Sequence, residues 1–253
     1  MESFETLVRK AEEAHFSGWD FSWLEGKLIE TPPPWEYHQL VESFLPMATS
    51  LLDMATGGGE FLSNLTGLPK QTFATENYQP NIALAEVLLN PMGIEVRQLG
   101  ENYAMPFEDN FFDLIINRHG SFDVTELYRV LKPGGYFLTQ KVGAFNNIEL
   151  NEFLAPEVMP TYSVEKFQFD VILENFCSAG FNVLRSESAG TPAIFLDISA
   201  VIYYLKVIKW QIEGFSVEKY DQRLRELDVL IRKVGSFACT SERYLFVLQK
   251  PFN

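Results

Sequence analysis

Apolar and polar positions alternate along this chain with two different periods. Phe4, Leu7, Val8, Ala11 and His15 recur at the spacing of one helix face. Pro32, Pro33 and Pro34 then break regular structure, and a helix is predicted from near Trp35 to about Leu45. From Ser50 onward, short apolar runs read as strands: SLLDMA (50–55), QTFATE (71–76), IEVRQL (94–99), FFDLIIN (111–117), YFLTQKV (136–142) and FNVLRSE (181–187). Helical patterns lie between them: GEFLSNL (59–65), PNIALAEVLLN (80–90), DVTELYRVL (123–131) and SVEKFQFDVILENFCSAG (163–180). Asp123 and Glu126 have capping-box spacing, and Ser163 is the expected cap of the fourth helix. Strand and helix in alternation predict an α/β fold with a parallel sheet.

The pattern changes after residue 196. DISAVIYYLKVIKW (197–210) is apolar nearly all round, and SVEKYDQRLRELDVLIRKVG (216–235) is amphipathic, with Tyr220, Leu224, Leu227 and Ile231 on one face. RYLFVLQK (243–250) reads as a last strand. The expected organisation is a helical cap segment (1–45), a core (46–196), a helical insertion that also caps (197–238), and a final core strand (239–253). Trp19, Trp23, Trp35, Tyr203, Tyr204 and Trp210 lie in or beside the cap segments. Most of them should be core, with one or two lining an apolar pocket.

Composition narrows the function. Of 253 residues, 47% are hydrophobic, enough to bury a sizeable core. A net charge of −14 opposes binding to a phosphate backbone, so no nucleic-acid partner is expected. Cys177 and Cys239 are the only cysteines, which gives neither a disulfide framework nor a metal site. The charged N-terminus lacks an apolar leader core and no stretch is long enough to span a bilayer, so a soluble cytoplasmic protein with no membrane partner is expected.

The candidate chemistry starts at LLDMATGGGE (51–60), where a strand ends in Asp53 and three glycines follow. Strand, acid and glycine loop bring a nucleotide-like ligand against backbone N–H groups at the start of a helix. Glu76 ends the next predicted strand, 23 positions after Asp53, where its carboxylate could accept from two ribose hydroxyls. These features alone do not separate a dinucleotide from S-adenosylmethionine.

The segment GENYAMPFEDNFFDLIINRHGSFDVTELYRVLKPGGYFLTQ (100–140) resembles the middle of class I, Rossmann-like S-adenosylmethionine-dependent methyltransferases of the type 11 kind. The resemblance rests on Glu101, Ala104-Met105-Pro106-Phe107, Phe112-Asp113 and Arg129-Val130-Leu131-Lys132-Pro133-Gly134-Gly135, in order and at family spacing. It implies a doubly wound, mostly parallel seven-stranded sheet with an antiparallel last strand, S-adenosylmethionine as cofactor, and methyl transfer to a small-molecule acceptor. A non-catalytic or regulatory binder of the same fold is the alternative.

By the same resemblance Asp53, Ala55, Gly57 and Gly59 would hold the methionine part of the cofactor and Glu76 the ribose. Asn77 and Tyr78 would flank the adenine, Glu101 and Asn102 would lie at its edge, and Asn117 would sit beside the sulfonium. Tyr78 could instead be a core aromatic and Asn102 a turn residue. Ala55 departs from the family's first glycine, and a methyl group there costs freedom at positive φ. Arg118 and His119, in NRHG (117–120), are the catalytic candidates: Arg118 could pair with a carboxylate and His119 could act as general base or simply pack locally.

Overall fold

The computed structural model describes residues 2–17 and 19–252, apart from the side chain of Glu101. Eight strands form one sheet: β1 (Leu28–Glu30), β2 (Ser50–Met54), β3 (Gln71–Thr75), β4 (Glu95–Arg97), β5 (Phe112–Arg118), β6 (Leu131–Val142), β7 (Asn182–Phe195) and β8 (Phe237–Gln249). Their order is β1-β7-β8-β6-β5-β2-β3-β4. The pairs β4–β3, β3–β2, β2–β5 and β5–β6 are parallel. The last strand is antiparallel to β6, because Gly134 N donates to Lys250 O at one end and Gly143 N to Glu242 O at the other. The helices are α1 (Phe4–Glu13), α2 (Tyr37–Phe44), α3 (Glu60–Ser63), α4 (Gln79–Leu89), α5 (Val124–Val130), α6 (Ile148–Leu154), α7 (Phe169–Ser178), α8 (Ile198–Val207) and α9 (Val217–Val234). Among the described residues no helix is long and apolar enough to cross a membrane.

Three local expectations are corrected. The sheet has eight strands, not seven: Gly26, at φ 72°, turns the chain, and Leu28–Glu30 pairs antiparallel with Ala193–Phe195. Ser163 does not cap a helix; residues 161–163 and 165–167 are short 3₁₀ turns, and α7 starts at Phe169. Asp123 caps α5 through the N–H groups of Thr125 and Glu126, but Glu126 does not reach back to close a capping box. Its carboxylate accepts from Met105 N and Arg129 instead.

The chain divides into two compact units. One comprises Met1–Pro33, Gly143–Phe169 and Ala189–Arg243; the other Pro34–Val142, Asp170–Ser188 and Tyr244–Asn253. In the first, α1, α6, α8 and α9 share an apolar core. Every residue from Ile198 to Leu205 is buried, which is why α8 is apolar all round. Tyr203 and Tyr204 are core, Trp23 stacks on Tyr203 at 4.5 Å between ring centroids, Trp210 is half-buried, and Trp19 is 49% exposed.

The second unit holds the parallel strands. Between β2 and β5 the winding reverses, which makes their C-terminal ends the topological switch point where such sheets take ligands. The opposite ends are fastened by Asp113. Its carboxylate accepts from the N–H and hydroxyl of both Thr49 and Ser50, and from Lys132 Nζ at 2.9 Å. Burial alone would raise this acid, but the hydrogen bonds from Thr49, Lys132 and Ser50 outweigh burial and hold it well below the usual carboxylate range. One side chain therefore joins the starts of β2, β5 and β6. In the same unit Arg129 gathers the 105–109 loop through Met105 O, Phe107 O and Asp109.

Asp113→Asn should cost roughly 1.5–3 kcal/mol in urea denaturation, the scale of hydrogen bonds to a charged group. The stabilisation is present above the ordinary carboxylate pKa and is lost as pH falls below about 4. The variant's stability should therefore fall less over that acidic range than the wild type's.

Candidate functional site

Asp53 and Met54 end β2 and lie beside Ala74 and Thr75 of β3 and Ile116 and Asn117 of β5. Asp53 is 3% exposed, and its carboxylate accepts from the Thr56 hydroxyl at 2.7 Å. Burial raises its pKa to about 7, and the neighbouring Glu76 adds to the rise, against the opposing pull of Thr56 and Arg118.

Glu76 follows β3 and is also buried. One carboxylate oxygen accepts from Gly57 N at 2.8 Å; the other accepts from Asn77 N at 2.8 Å and Tyr78 N at 2.9 Å. The N–H of Gly57 is therefore spent on Glu76 rather than presented to a ligand. This bond and the Thr56 N–Thr75 O bond fold the glycine loop back across the end of β3. Gly57 and Gly59 stand at φ 66° and 90°, and a side chain on Gly59 would strike Leu89 at 2.8 Å. The helix that follows, α3, has only four residues.

Ala55 occupies the left-handed region at φ 56°, as a glycine would. Its methyl group has room because the facing residue is Gly120: a Cβ built there would lie 2.4 Å from Ala55 Cβ and 2.7 Å from Asn117 Nδ2. Asn117 is fully buried and held from several sides. Its amide donates to Met54 O at 3.1 Å, its side-chain oxygen accepts from Thr139 at 3.0 Å, and its backbone carbonyl accepts from the Tyr37 hydroxyl at 2.9 Å. Tyr37 also donates to Leu138 O, and Trp35 donates from its indole to Gln140. Trp35 is thus buried against the sheet.

The other candidates fall at the rim. Asn77 is exposed, and its side-chain oxygen accepts from Leu99 N at 2.8 Å. Tyr78 is 58% exposed, which excludes a core role. Asn102 is exposed and sits in a left-handed turn at φ 53°, while the side chain of Glu101 lies outside the described residues. Arg118 is exposed, with its guanidinium 5.5 Å from the Phe61 ring centroid. His119 is half-buried at φ 68°, and its N–H donates to Gln140 O at 2.8 Å. No cluster of potential metal ligands occurs among the described residues.

Residues 52–139 match the family model described as a methyltransferase domain. Over those residues, about a third of the chain, this protein carries a methyltransferase domain. Similar solved structures agree in fold. A candidate methyltransferase of Bacillus halodurans is 20% identical, with 83% of this chain and 98% of that one covered and a TM-score of 0.56. The YcgJ protein of Bacillus subtilis is 16% identical, with 85% and 98% covered and a TM-score of 0.57. The [4+2]-cyclase SpnF is 14% identical, with 98% and 93% covered and a TM-score of 0.50. Among curated proteins, none matches the chain in sequence.

The methyltransferase's own geometry fits the family cofactor. A buried acid with a single hydroxyl partner, Asp53, suits an ammonium, and a second acid ends the adjacent strand. Tyr37, Thr56 and Gly120 were not singled out by sequence pattern. Gly120 was visible inside NRHG, but its meaning depends on Ala55, 65 positions earlier.

Gly120→Ala should destabilise the enzyme by roughly 1–3 kcal/mol through overpacking. Ala55→Gly should change stability by under about 1 kcal/mol, because relief of left-handed strain, roughly 1–2 kcal/mol, offsets a lost methyl worth about 0.8. The double variant should recover part of the Gly120→Ala loss in chemical denaturation. A neutral Gly120→Ala would show that the two residues do not constrain each other.

Proposed function

We propose that this methyltransferase acts on a small-molecule acceptor and that the cofactor lies across the C-terminal ends of β2, β3 and β5. The observation that carries the reading is the pair of buried acids, Asp53 and Glu76, at the ends of adjacent parallel strands. Asp53 would meet the ammonium of the methionine part and Glu76 the ribose hydroxyls. Asn77 and Tyr78 would flank the adenine, Asn102 would lie at its edge, and Asn117 would stand beside the sulfonium. Ala55, Gly57 and Gly59 would form the loop beneath it. The bound cofactor supplies a methyl group on a sulfonium, and transfer needs an aligned, water-poor site. Arg118 and His119 follow directly from Asn117, where an acceptor would approach, and are proposed to position it or take its proton. The charge of −14 favours a small acceptor over a nucleic acid.

The second reading, a binder that does not transfer methyl, is favoured by one observation: Ala55, at φ 56°, stands where the family pattern has its first glycine. Tight binding of S-adenosylhomocysteine, with no transfer of radiolabelled methyl to any acceptor class, would select it.

Calorimetry with S-adenosylhomocysteine tests the site. Affinity should rise with pH up to about 7 and level off above, because Asp53 must ionise to meet an ammonium and burial has moved its pKa there. Asp53→Asn should flatten that profile. Glu76→Ala should weaken binding by roughly 1.5–3 kcal/mol. Unchanged affinity in a folded Glu76→Ala variant would remove the ribose assignment.

A further inference from the structure

Lys141 sits at the C-terminal edge of the sheet, one position beyond the last β5–β6 pair, Arg118–Gln140. It shares a sheet face with Thr139, whose hydroxyl bonds Asn117. Its amine lies 3.3 Å from the carbonyl oxygen of Gly120, the residue that faces both Ala55 and Asn117. Its other neighbour is the Phe122 ring, 4.7 Å from ammonium to centroid, itself packed on Phe137 and Phe176.

An ammonium has three N–H donors, and other partly buried lysines of this chain use theirs well. Lys250 donates to Asn110, Tyr128 O and Leu131 O at 2.7–2.8 Å. Lys132 pairs with Asp113 at 2.9 Å. Lys206 donates to three carbonyls near the end of α1. Lys141 has one long bond to a carbonyl. Although the chain carries 34 acidic residues, no carboxylate pairs with Lys141 among the described residues. Burial lowers its pKa to about 8. Half-buried beside the strand ends, with one long hydrogen bond and no carboxylate partner, Lys141 keeps N–H donors for an anionic ligand.

We propose that Lys141 recognises a carboxylate of the methyl acceptor, so that the substrate class is an organic acid. The proposal rests on the placement of the cofactor across the ends of β2, β3 and β5. An acceptor acid on Lys141 would be held beside Gly120 and Asn117, next to the position assigned to the sulfonium. A lysine, unlike a planar guanidinium, offers a point charge that tolerates several carboxylate orientations.

The test uses the full chain with ¹⁵N-labelled lysine, saturated with S-adenosylhomocysteine, and benzoate as probe. Benzoate should shift the Lys141 ε-nitrogen resonance saturably; benzyl alcohol and benzylamine should not. Lys141→Met should weaken benzoate binding at least about tenfold and Lys141→Arg by under about threefold, as expected for a charge-assisted contact. If the Met variant does not fold by circular dichroism, the wild-type titration still decides. Tight S-adenosylhomocysteine binding with an unmoved Lys141 resonance overturns the proposal and leaves the methyltransferase reading intact. Failure of S-adenosylhomocysteine to bind removes the reading beneath it, and the proposal with it.

Discussion

Two carboxylates buried side by side at the ends of parallel strands are the constraint on which the local architecture of this enzyme depends. Removing a charge from water is expensive unless hydrogen bonds replace the lost solvent. For Glu76 the replacement is extensive: three backbone N–H groups converge on its two oxygens, one of them from Gly57, and acceptor capacity remains. That bond can form only if the loop after β2 turns back over β3, and the turn runs through left-handed backbone at Ala55, Gly57 and Gly59. For Asp53 the replacement is incomplete, with one hydroxyl and the field of Arg118, so its pKa rises to about 7. The loop geometry follows from satisfying one acid, and the raised pKa of the other follows from its having fewer partners.

The same loop explains a departure from the family pattern. An alanine at the first glycine position carries a strain that packing must hold in place. Here the space is provided across the sheet by Gly120, and the floor beneath is set by Asn117, which is tied to Met54, Thr139 and Tyr37. The two positions are complementary in volume: a methyl stands on one strand end, and the facing residue has none. The resulting contact is set within the second unit alone, by β2, β5, β6 and α2.

Much of this was legible in the sequence, for reasons of range. Strand, acid and glycine form a contiguous signal, and Glu76 falls where the parallel pairing of β2 and β3 puts it. The motif residues Phe112-Asp113 and Arg129 through Gly135 are also local, and they appear in the structure as the clamp at the strand starts and the gatherer of the 105–109 loop. What could not be read depends on residues far apart in the chain. Leu28–Glu30 is a strand only because Ala193–Phe195 offers it an edge. Tyr37 matters through backbone oxygens 80 and 101 positions away. Ser163 has the composition of a helix cap, yet the chain delays α7 to Phe169 through two 3₁₀ turns. Gly120 looks like an ordinary turn residue until Ala55 is placed against it.

The buried and half-buried charges of the second unit differ between the two ends of the sheet. At the strand starts, Asp113 and Lys132 satisfy each other and their neighbours at 2.6–3.0 Å, and Asp113 is driven firmly to its ionised form. Such groups hold strands together and have little left to offer a ligand. At the strand ends Asp53 and Lys141 carry the cost of burial with fewer partners than Glu76 has. Asp53 is pushed up to about 7 and Lys141 down to about 8, so an acid and a base both approach neutrality within one ligand-binding edge. Burial disfavours the charged form of both groups, and so moves an acid up and a base down. The two groups ask for opposite charges. Asp53, beside the glycine loop, suits a cation, and Lys141, beyond Gly120, suits an anion. Asn117 and Gly120 lie between them, so the edge carries an acid on one side and an ammonium on the other.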